Sequence, residues 1–233
     1  MMPITESEEA RIQAVYARRQ GDAALYSYFN PGHLLMLQQR QRTLLTMLSR
    51  DDCTRLDSKK ILEIGCGKGY WLREFINWGA RPQNITGIDL MEEHVSEARR
   101  LCPAGVKVQY GNAAKLDFPD RIFDLVLQST VLTSVLDQEL RIQIAAEMIR
   151  VLKPDGLIIW HDFRVNNPWN PDVRGIGKRE IFKLFPHCRI ELRRIILAPP
   201  LARIVAPYSW LVSYLLESIP WLCTHYIGII RKS

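Results

Sequence analysis

The sequence predicts an α/β protein in which helices cover both faces of a mostly parallel sheet. Two observations support this fold class. Short, nearly all-apolar segments alternate with segments of helical spacing, which is typical of strands buried on both faces. The first apolar segment also runs directly into the glycine-rich stretch GCGKGY (65–70). Alternating glycines after a strand indicate a loop whose bare backbone holds a ligand.

The helices and strands are predicted from the spacing of apolar residues and from turn-forming residues. Two amphipathic helices, 6–20 and 33–50, precede the sheet, and YSYFNPG (26–32) is predicted to be a turn between them. Strands are expected at 59–64, 84–90, 106–110, 123–129, 156–163, 189–197 and 225–230. Further helices are expected at 70–79, 92–101, 138–152 and 178–185, and LKPDG (152–156) is predicted to be a turn.

Charge and cysteine content narrow the function class. The chain of 233 residues has a net charge of +6, and residues 161–233 hold 11 basic and 5 acidic residues. This excess fits either an acidic partner or a solvated basic face. The five cysteines form no CxxC pair, so we expect free thiols, no metal site and a reducing, cytoplasmic location. The N-terminus lacks the order of charged, apolar and small residues found in a secretory signal.

The glycine spacing excludes two common ligand loops. A dinucleotide fingerprint, G-x-G-x-x-G, needs glycine where Tyr70 stands, and no stretch fits the phosphate-binding pattern G-x-x-x-x-G-K-[ST]. The pattern that fits is E-x-G-x-G-x-G, formed by Glu63, Gly65, Gly67 and Gly69. Asp89 follows Glu63 after a second strand, and its carboxylate suits a pair of neighbouring hydroxyl donors.

With these motifs in register, residues 59–163 resemble the class I S-adenosylmethionine-dependent methyltransferases. The glycine pattern matches the family's first signature, and Asp89 stands where the family places an acid on the ribose hydroxyls. GNAAKLDF (111–118) matches the family's G-D-A-x-x-L-x-F stretch beside the adenine, with Asn112 in place of the usual aspartate. FDLVLQSTVLTSV and RVLKPDGLII match its fourth strand and the approach to its fifth.

The resemblance implies a Rossmann-like, seven-stranded, mostly parallel sheet and S-adenosyl-L-methionine as cofactor. The expected domain is single, with an N-terminal helical extension (1–58), a cofactor-binding core (59–163) and a substrate-side region (164–233). Asn112 can still accept a hydrogen bond through its amide oxygen, whereas Asp89 could instead cap a helix and Glu63 could cap loop amides. The expected cofactor-binding residues are Glu63, Gly65, Cys66, Gly67, Gly69, Asp89, Leu90, Asn112, Ala113 and Gln128.

Candidate catalytic groups stand at the end of the fifth strand. His161 is the expected general base because an unperturbed imidazole titrates near neutral pH. Asp162 could orient His161 or replace it, although strand alternation sends the two side chains to opposite sides. Arg164 could hold an acidic substrate, and the loop after it is expected to bind substrate through Asn167 and Trp169. Alternatively, His161 has a purely structural role, and the loop after Arg164 only connects two elements.

An apolar segment, residues 198–223, is expected as an insertion between the last two strands. Its longest uncharged run is 13 residues, too short to span a bilayer, which takes about 20. The insertion could form a lid, a dimer surface, a peripheral membrane contact or additional core.

The sequence therefore predicts a methyltransferase that modifies a small molecule or glycan, most simply at a hydroxyl group. An RNA methyltransferase is the alternative suggested by the basic C-terminal third. The chain has QSTV after the fourth strand where amino-methylating enzymes carry N/D-P-P-Y/F, and no RNA-binding module is evident. A cofactor-binding scaffold without activity is a second alternative. An NAD-dependent dehydrogenase is disfavoured by Tyr70.

Overall fold

A computed structural model describes residues 4–18, 24–167 and 170–233. The strands are β1 Ile61–Ile64, β2 Ile85–Asp89, β3 Lys107–Tyr110, β4 Phe123–Ser129, β5 Leu152–Phe163, β6 Cys188–Leu197 and β7 Cys223–Lys232. The helices are α1 Ile4–Arg18, α2 Pro31–Arg50, α3 Tyr70–Asn77, α4 Glu92–Leu101, α5 Gln138–Val151, α6 Lys178–Leu184, α7 Pro199–Val205 and α8 Trp210–Glu217.

The strands form one seven-stranded sheet in the order β3-β2-β1-β4-β5-β7-β6. The pairs from β3 to β5 are parallel, and β7 runs antiparallel to both β5 and β6. The predicted α/β class with a mostly parallel sheet is therefore confirmed. Because the chain moves from β3 across to β4, the carboxyl ends of β1 and β4 flank the switch point of the sheet, where ligands bind in such folds.

Two apolar layers flank the sheet, which is why its strands are apolar on both faces. Leu62 and Ile64 of β1 pack with residues of α5 and α6 on one face. Ile61 packs with residues of α2, α3 and α4 on the other face. All four residues of β1 are buried, so a polar substitution in this strand would lose its solvation on either face.

Several element boundaries differ from the sequence prediction, and two of the differences have a clear physical cause. LKPDG is not a separate turn, because β5 already begins at Leu152; Phe123 pairs with Leu152 and Leu125 with Leu157, so extra residues bulge from the strand. The predicted turn before α2 is shorter than expected, because Pro31 and Gly32 belong to the helix. Proline suits the first helical position, and Asn30 caps the helix by accepting from the His33 amide (3.2 Å).

Helix α1 lies across the carboxyl ends of the strands. Its Glu8 carboxylate accepts from the Leu136 amide (2.6 Å), and the Arg11 guanidinium donates to the Ser134 carbonyl (2.6 Å). Ile12 and Val15 are buried. Helix α1 therefore packs on the segment that follows β4, over the edge of the sheet where a ligand is expected.

Helix α2 packs closely against α7 in the segment between β6 and β7. A Cβ added at Gly32 would lie 2.9 Å from the Cα of Arg203, closer than packed side chains approach. Leu35 packs one turn further on, in a small buried cluster with Leu197, Ala202 and Ala206. The absence of a side chain at Gly32 thus sets the distance between the two helices.

We predict that Gly32→Ala lowers the free energy of unfolding by about 1–3 kcal/mol, the usual cost of overpacking, although alanine normally favours a helix over glycine. Chemical denaturation would measure the change. Gly111→Ala is the matched control, because its Cβ would lie 3.8 Å from Ile88, an ordinary contact. Equal stability of the two variants would contradict the close approach of α2 and α7.

Candidate functional site

The glycine loop after β1 adopts left-handed backbone at the positions where glycine is required. Gly65 has φ +63° and Gly67 has φ +51°, values that side-chain-bearing residues rarely adopt. A Cβ at Gly65 would lie 2.3 Å from Cγ2 of Val131, whereas a Cβ at Gly67 would meet no protein atom within 4 Å. The backbone at Gly67 therefore faces open space, and this space is the cleft described next.

The cleft has a volume of about 250 Å³ and lies at the carboxyl ends of β1, β2 and β4. The structure brings together here six of the ten predicted cofactor-binding residues: Gly65, Gly67, Asp89, Leu90, Asn112 and Ala113. Residues of α1 line it as well, namely Glu9, Ile12 and Tyr16. The sequence analysis missed these three, because no local pattern in a helix shows which distant loop it will cover.

Asp89 connects the glycine loop to the beginning of α4. One carboxylate oxygen accepts from the Gly67 amide (2.8 Å). The other accepts from the Met91 amide (2.9 Å) and lies 3.2 Å from Nδ1 of His94. Asp89 does not occupy the N-cap position of α4, which belongs to Met91. Its carboxylate lines the cleft while it fixes the loop.

Asn112 is tied to α1 and to its own loop. Its amide oxygen accepts from the Ala114 amide (2.8 Å), and its amide nitrogen donates to the Glu9 carboxylate. The oxygen that we expected to accept from an adenine is thus already engaged with the backbone. The carboxylate beside this position comes from Glu9.

The remaining four predicted cofactor residues, Glu63, Cys66, Gly69 and Gln128, are not among the residues that line the cleft. Glu63 is buried, and burial, followed by the nearby Asp89 carboxylate, raises the pKa of Glu63 well above its usual value. The Cys66 amide donates to the Ile88 carbonyl (2.9 Å), and the Gln128 side-chain oxygen accepts from the Val131 amide (3.3 Å). A Cβ at Gly69 would lie 2.7 Å from Sγ of Cys102. Cys66 and Gly69 belong to the loop itself, whereas Glu63 and Gln128 lie in the strands β1 and β4.

A second cavity, of about 710 Å³, adjoins the first. Tyr16, Thr130 and Ser134 line both cavities. The second cavity extends between α2, the end of β5, β7 and the loop that follows β5. Its size is in the range of sites that enclose small organic molecules.

His161 and Ser129 stand where the two cavities meet. Ser129 lines the first cavity, His161 lines the second, and Nδ1 of His161 lies 2.9 Å from the Ser129 hydroxyl. Nε2 of His161 is buried and has no hydrogen-bond partner among the described residues. Burial, and then the Arg40 and His225 side chains, hold the pKa of His161 well below its usual value. The imidazole is therefore neutral at physiological pH.

Asp162 points away from both cavities, as strand alternation predicts. Its carboxylate accepts from the Thr133 amide (3.1 Å), from the Thr133 hydroxyl and from the Phe163 amide (3.0 Å). Burial raises the pKa of Asp162 to about 7 despite these bonds. The carboxylate holds the segment after β4 against β5, and it neither contacts His161 nor lines a cavity.

Two β-branched residues at the cavities have left-handed backbone. Thr130 has φ +60° and Ile196 has φ +64°. Each such conformation costs roughly 1–3 kcal/mol and is found where the surroundings enforce it, often at functional sites. The Thr130 amide donates to the His161 carbonyl (2.8 Å), and the Ile196 amide donates to the Gln39 side chain (2.8 Å).

The predicted substrate-binding residues have different positions. Asn167 lines the second cavity. Arg164 does not line it, because its guanidinium donates to the Cys223 carbonyl (2.8 Å) on the neighbouring strand. Trp169 lies outside the described residues.

The second cavity is lined by cationic and imidazole side chains that the sequence analysis missed: His33, Arg40, Arg203 and His225. The Arg40 guanidinium carbon lies 4.7 Å from the Trp71 ring centroid and 5.0 Å from that of Tyr70. An arginine on an amphipathic helix normally indicates a solvent-facing position, so the sequence offered no signal for it.

The described part of the chain contains no group of three or more His, Cys, Asp or Glu side chains placed to hold a metal ion. None of its helices combines the length and apolar character needed to cross a bilayer.

Comparison with known proteins matches residues 61–156 to a family model described as a methyltransferase domain. A fatty-acid O-methyltransferase of Mycolicibacterium smegmatis is 36% identical over 116 residues, 47% of this chain and 39% of the relative. A phthiotriol/phenolphthiotriol dimycocerosates methyltransferase of Mycobacterium ulcerans is 31% identical over 130 residues, 54% of this chain and 46% of the relative. The chain thus spans less than half the length of these curated relatives.

Among solved structures, an S-adenosylmethionine-dependent methyltransferase from Methanosarcina mazei superposes with a TM-score of 0.59 at 20% identity, covering 77% of this chain and 94% of that one. At this identity the likeness concerns the fold.

We predict that Gly67→Val abolishes binding of S-adenosylhomocysteine, because the added side chain would stand where the backbone faces the cleft. Isothermal titration calorimetry would measure the loss. Gly79→Val is the matched control: Gly79 has φ +99°, and a Cβ there also meets open space. Both variants should lose at least about 1 kcal/mol of stability from the strained backbone, and Gly79→Val should bind normally. Normal binding by Gly67→Val would mean that the glycine loop is only a turn and does not contact the cofactor.

Proposed function

The chain belongs to the class I S-adenosylmethionine-dependent methyltransferases, and from this premise we propose that it methylates a hydroxyl group of a small molecule with an apolar body and an acidic group. S-adenosylmethionine is the cofactor of this family. The observation that supports the proposal most directly is the meeting of the two cavities at Ser129 and His161.

The first cleft suits the cofactor. The backbone of Gly67 borders it without a side chain, and the Asp89 carboxylate lines it with oxygens that can accept from a pair of hydroxyl groups. Glu9 and Asn112 lie side by side at the same cleft and offer a carboxylate beside an amide. S-adenosylmethionine supplies a methyl group on a positively charged sulfur, so the protein need not activate the leaving group.

The protein must then place the acceptor and receive its proton. If Nδ1 of His161 donates to the Ser129 hydroxyl, Nε2 carries the free lone pair, and it has no partner among the described residues. The low pKa of His161 makes it a weak base. A weak base is sufficient here, because the hydroxyl proton becomes more acidic as the new carbon–oxygen bond forms. His161 is therefore proposed as the proton acceptor.

The second cavity indicates the character of the acceptor. Nε of Arg40 and Nε of Arg203 are buried without a hydrogen-bond partner in the described chain, and no described carboxylate forms an ion pair with either side chain. Apolar side chains of Met36, Leu37 and Phe163 line the same cavity. Cationic groups among apolar walls suit a molecule with an acidic group and an apolar body. The relatives named for fatty-acid and dimycocerosate substrates are consistent with this class.

A glycan that carries an acidic sugar is the second candidate. Asn167 and Asn170 line the cavity, and amide side chains commonly bind sugar hydroxyls. Both candidates require a hydroxyl acceptor near His161 and an acidic group near the arginines, so they differ only in the body of the molecule.

We expect His161→Ala to leave S-adenosylhomocysteine affinity nearly unchanged and to reduce methyl transfer by about 10²–10⁴, the range for loss of a positioned general base. Transfer of labelled methyl groups into a cell extract would measure the rate. Because burial holds the pKa of His161 well below its usual value, the wild-type rate should be level at neutral pH and should fall only in acid, well below the ordinary titration range of histidine.

Asp162→Asn is the control for the neighbouring position. Its side chain faces Thr133, so the variant should keep the wild-type rate. A rate that rises with a midpoint near pH 7, and that is lost in Asp162→Asn, would assign the proton to Asp162 instead, since its pKa is about 7. If both variants turned over at the wild-type rate, neither side chain would be the general base, and catalysis would rest on positioning of the acceptor alone.

A further prediction concerns Arg40 and the acidic group of the acceptor. With S-adenosylhomocysteine present, the wild-type protein should bind 3-hydroxydecanoic acid more tightly than its methyl ester, by roughly tenfold or more, as for a charge-assisted hydrogen bond. Arg40→Met keeps an unbranched side chain against the Tyr70 and Trp71 rings and should remove this preference. Arg42→Met, two residues further along α2, is the control. An equal preference in all three proteins would exclude Arg40 as the acid-binding group.

A further inference from the structure

An exposed apolar face covers the outer side of α7, α8 and the short turn that follows them. Tyr208, Leu211 and Trp221 are exposed by 88%, 69% and 80%. Ile204, Val212, Leu215 and Ile219 are exposed as well. We call these seven residues the apolar face. Contiguous apolar surface of this kind normally marks a site of interaction.

The inner side of the same helices is firmly packed, so the apolar face is held outward. Ala202, Ala206 and Ser213 are buried against α2 and β6. Glu217 at the end of α8 forms an ion pair with Arg42 of α2 (2.7 Å). The segment is therefore not additional core, because a fixed inner side leaves the larger apolar residues in solvent.

The charges around the apolar face are positive. Arg194 is exposed, and its guanidinium carbon lies 5.4 Å from the Trp221 ring centroid. The acidic residue of residues 198–223 is Glu217, and Arg42 neutralises it. Tryptophan, tyrosine and arginine around exposed leucines form the usual composition of a surface that lies on a lipid bilayer.

This charge pattern favours an anionic lipid surface over a second copy of the chain. A two-fold dimer through the apolar face would bury Arg194 while Glu217, the acidic residue of 198–223, is already paired with Arg42. Anionic lipid headgroups would instead neutralise Arg194. Helices of seven and eight residues are too short to span the hydrocarbon core, so the contact would lie in the plane of the headgroups.

Helix α7 borders both the apolar face and the second cavity, because Ile204 belongs to the face and the preceding residue, Arg203, lines the cavity. Pro199 and Arg203 of α7 line that cavity, and so does Tyr26, which is 64% exposed. We propose that the apolar face docks the protein on anionic membranes, with the mouth of the acceptor cavity turned towards the lipid. An acceptor with an apolar body could then enter from the bilayer. The docking itself does not depend on the proposed methyl transfer.

Flotation with vesicles tests the docking without any assay of activity. The full chain, with no acceptor added, is mixed with vesicles of phosphatidylcholine and phosphatidylglycerol in equal parts, or with vesicles of phosphatidylcholine alone. We expect the wild-type protein to float with the mixed vesicles and only weakly with phosphatidylcholine. Leu211→Ser/Leu215→Ser should reduce the partition coefficient by about tenfold or more. Arg194→Gln should reduce the preference for the anionic vesicles.

Ile142→Ser on α5 is the matched control, since Ile142 is also an exposed apolar residue, and it should float like the wild type. Circular dichroism and S-adenosylhomocysteine binding would show that each variant is folded. The proposal is wrong if the wild type stays with the soluble fraction, or if the double variant floats like Ile142→Ser. It is also wrong if light scattering shows a wild-type dimer that the double variant dissociates and that does not bind vesicles.

Discussion

The parallel pairing of β4 with β5 is the constraint on which the site depends. Its register sets Ser129 beside His161 at the carboxyl ends of the two strands, and the hydroxyl and imidazole then lie 2.9 Å apart. The same pairing places the Thr130 amide on the His161 carbonyl and holds Thr130 in left-handed backbone. One strand pair thus fixes the boundary between the cleft proposed for the cofactor and the cavity proposed for the acceptor.

Burial decides the protonation of the groups at this boundary. Burial and the Arg40 charge lower the pKa of His161, and they lower the pKa of His225 to about 3, so two stacked neutral rings lie beside the cationic Arg40. Burial acts on Asp162 in the opposite direction and raises its pKa to about 7. These shifts leave Arg40 and Arg203 as the cationic side chains of the second cavity, which is why we propose an acidic acceptor for it.

The sequence predicted the features that depend on local pattern. All-apolar runs identified the strands of the sheet, and the spacing of Gly65 and Gly67 identified the loop that borders the cleft. It could not predict contacts between distant segments, such as Glu9 of α1 beside Asn112 or Arg203 of α7 in the acceptor cavity. The motif match also included Gln128, which does not line the cleft and instead accepts from the Val131 amide, because a motif does not show which side chains face a ligand.

The most direct test is to identify the molecule that receives the methyl group. The protein is incubated with methyl-labelled S-adenosylmethionine and a fractionated cell extract, with His161→Ala in parallel. We predict that the label appears as an O-methyl group on an acidic small molecule with an apolar body, recovered with the lipids, and that the variant transfers little. Label found in RNA or protein, or no transfer by the wild-type protein to any fraction, would contradict the proposed function.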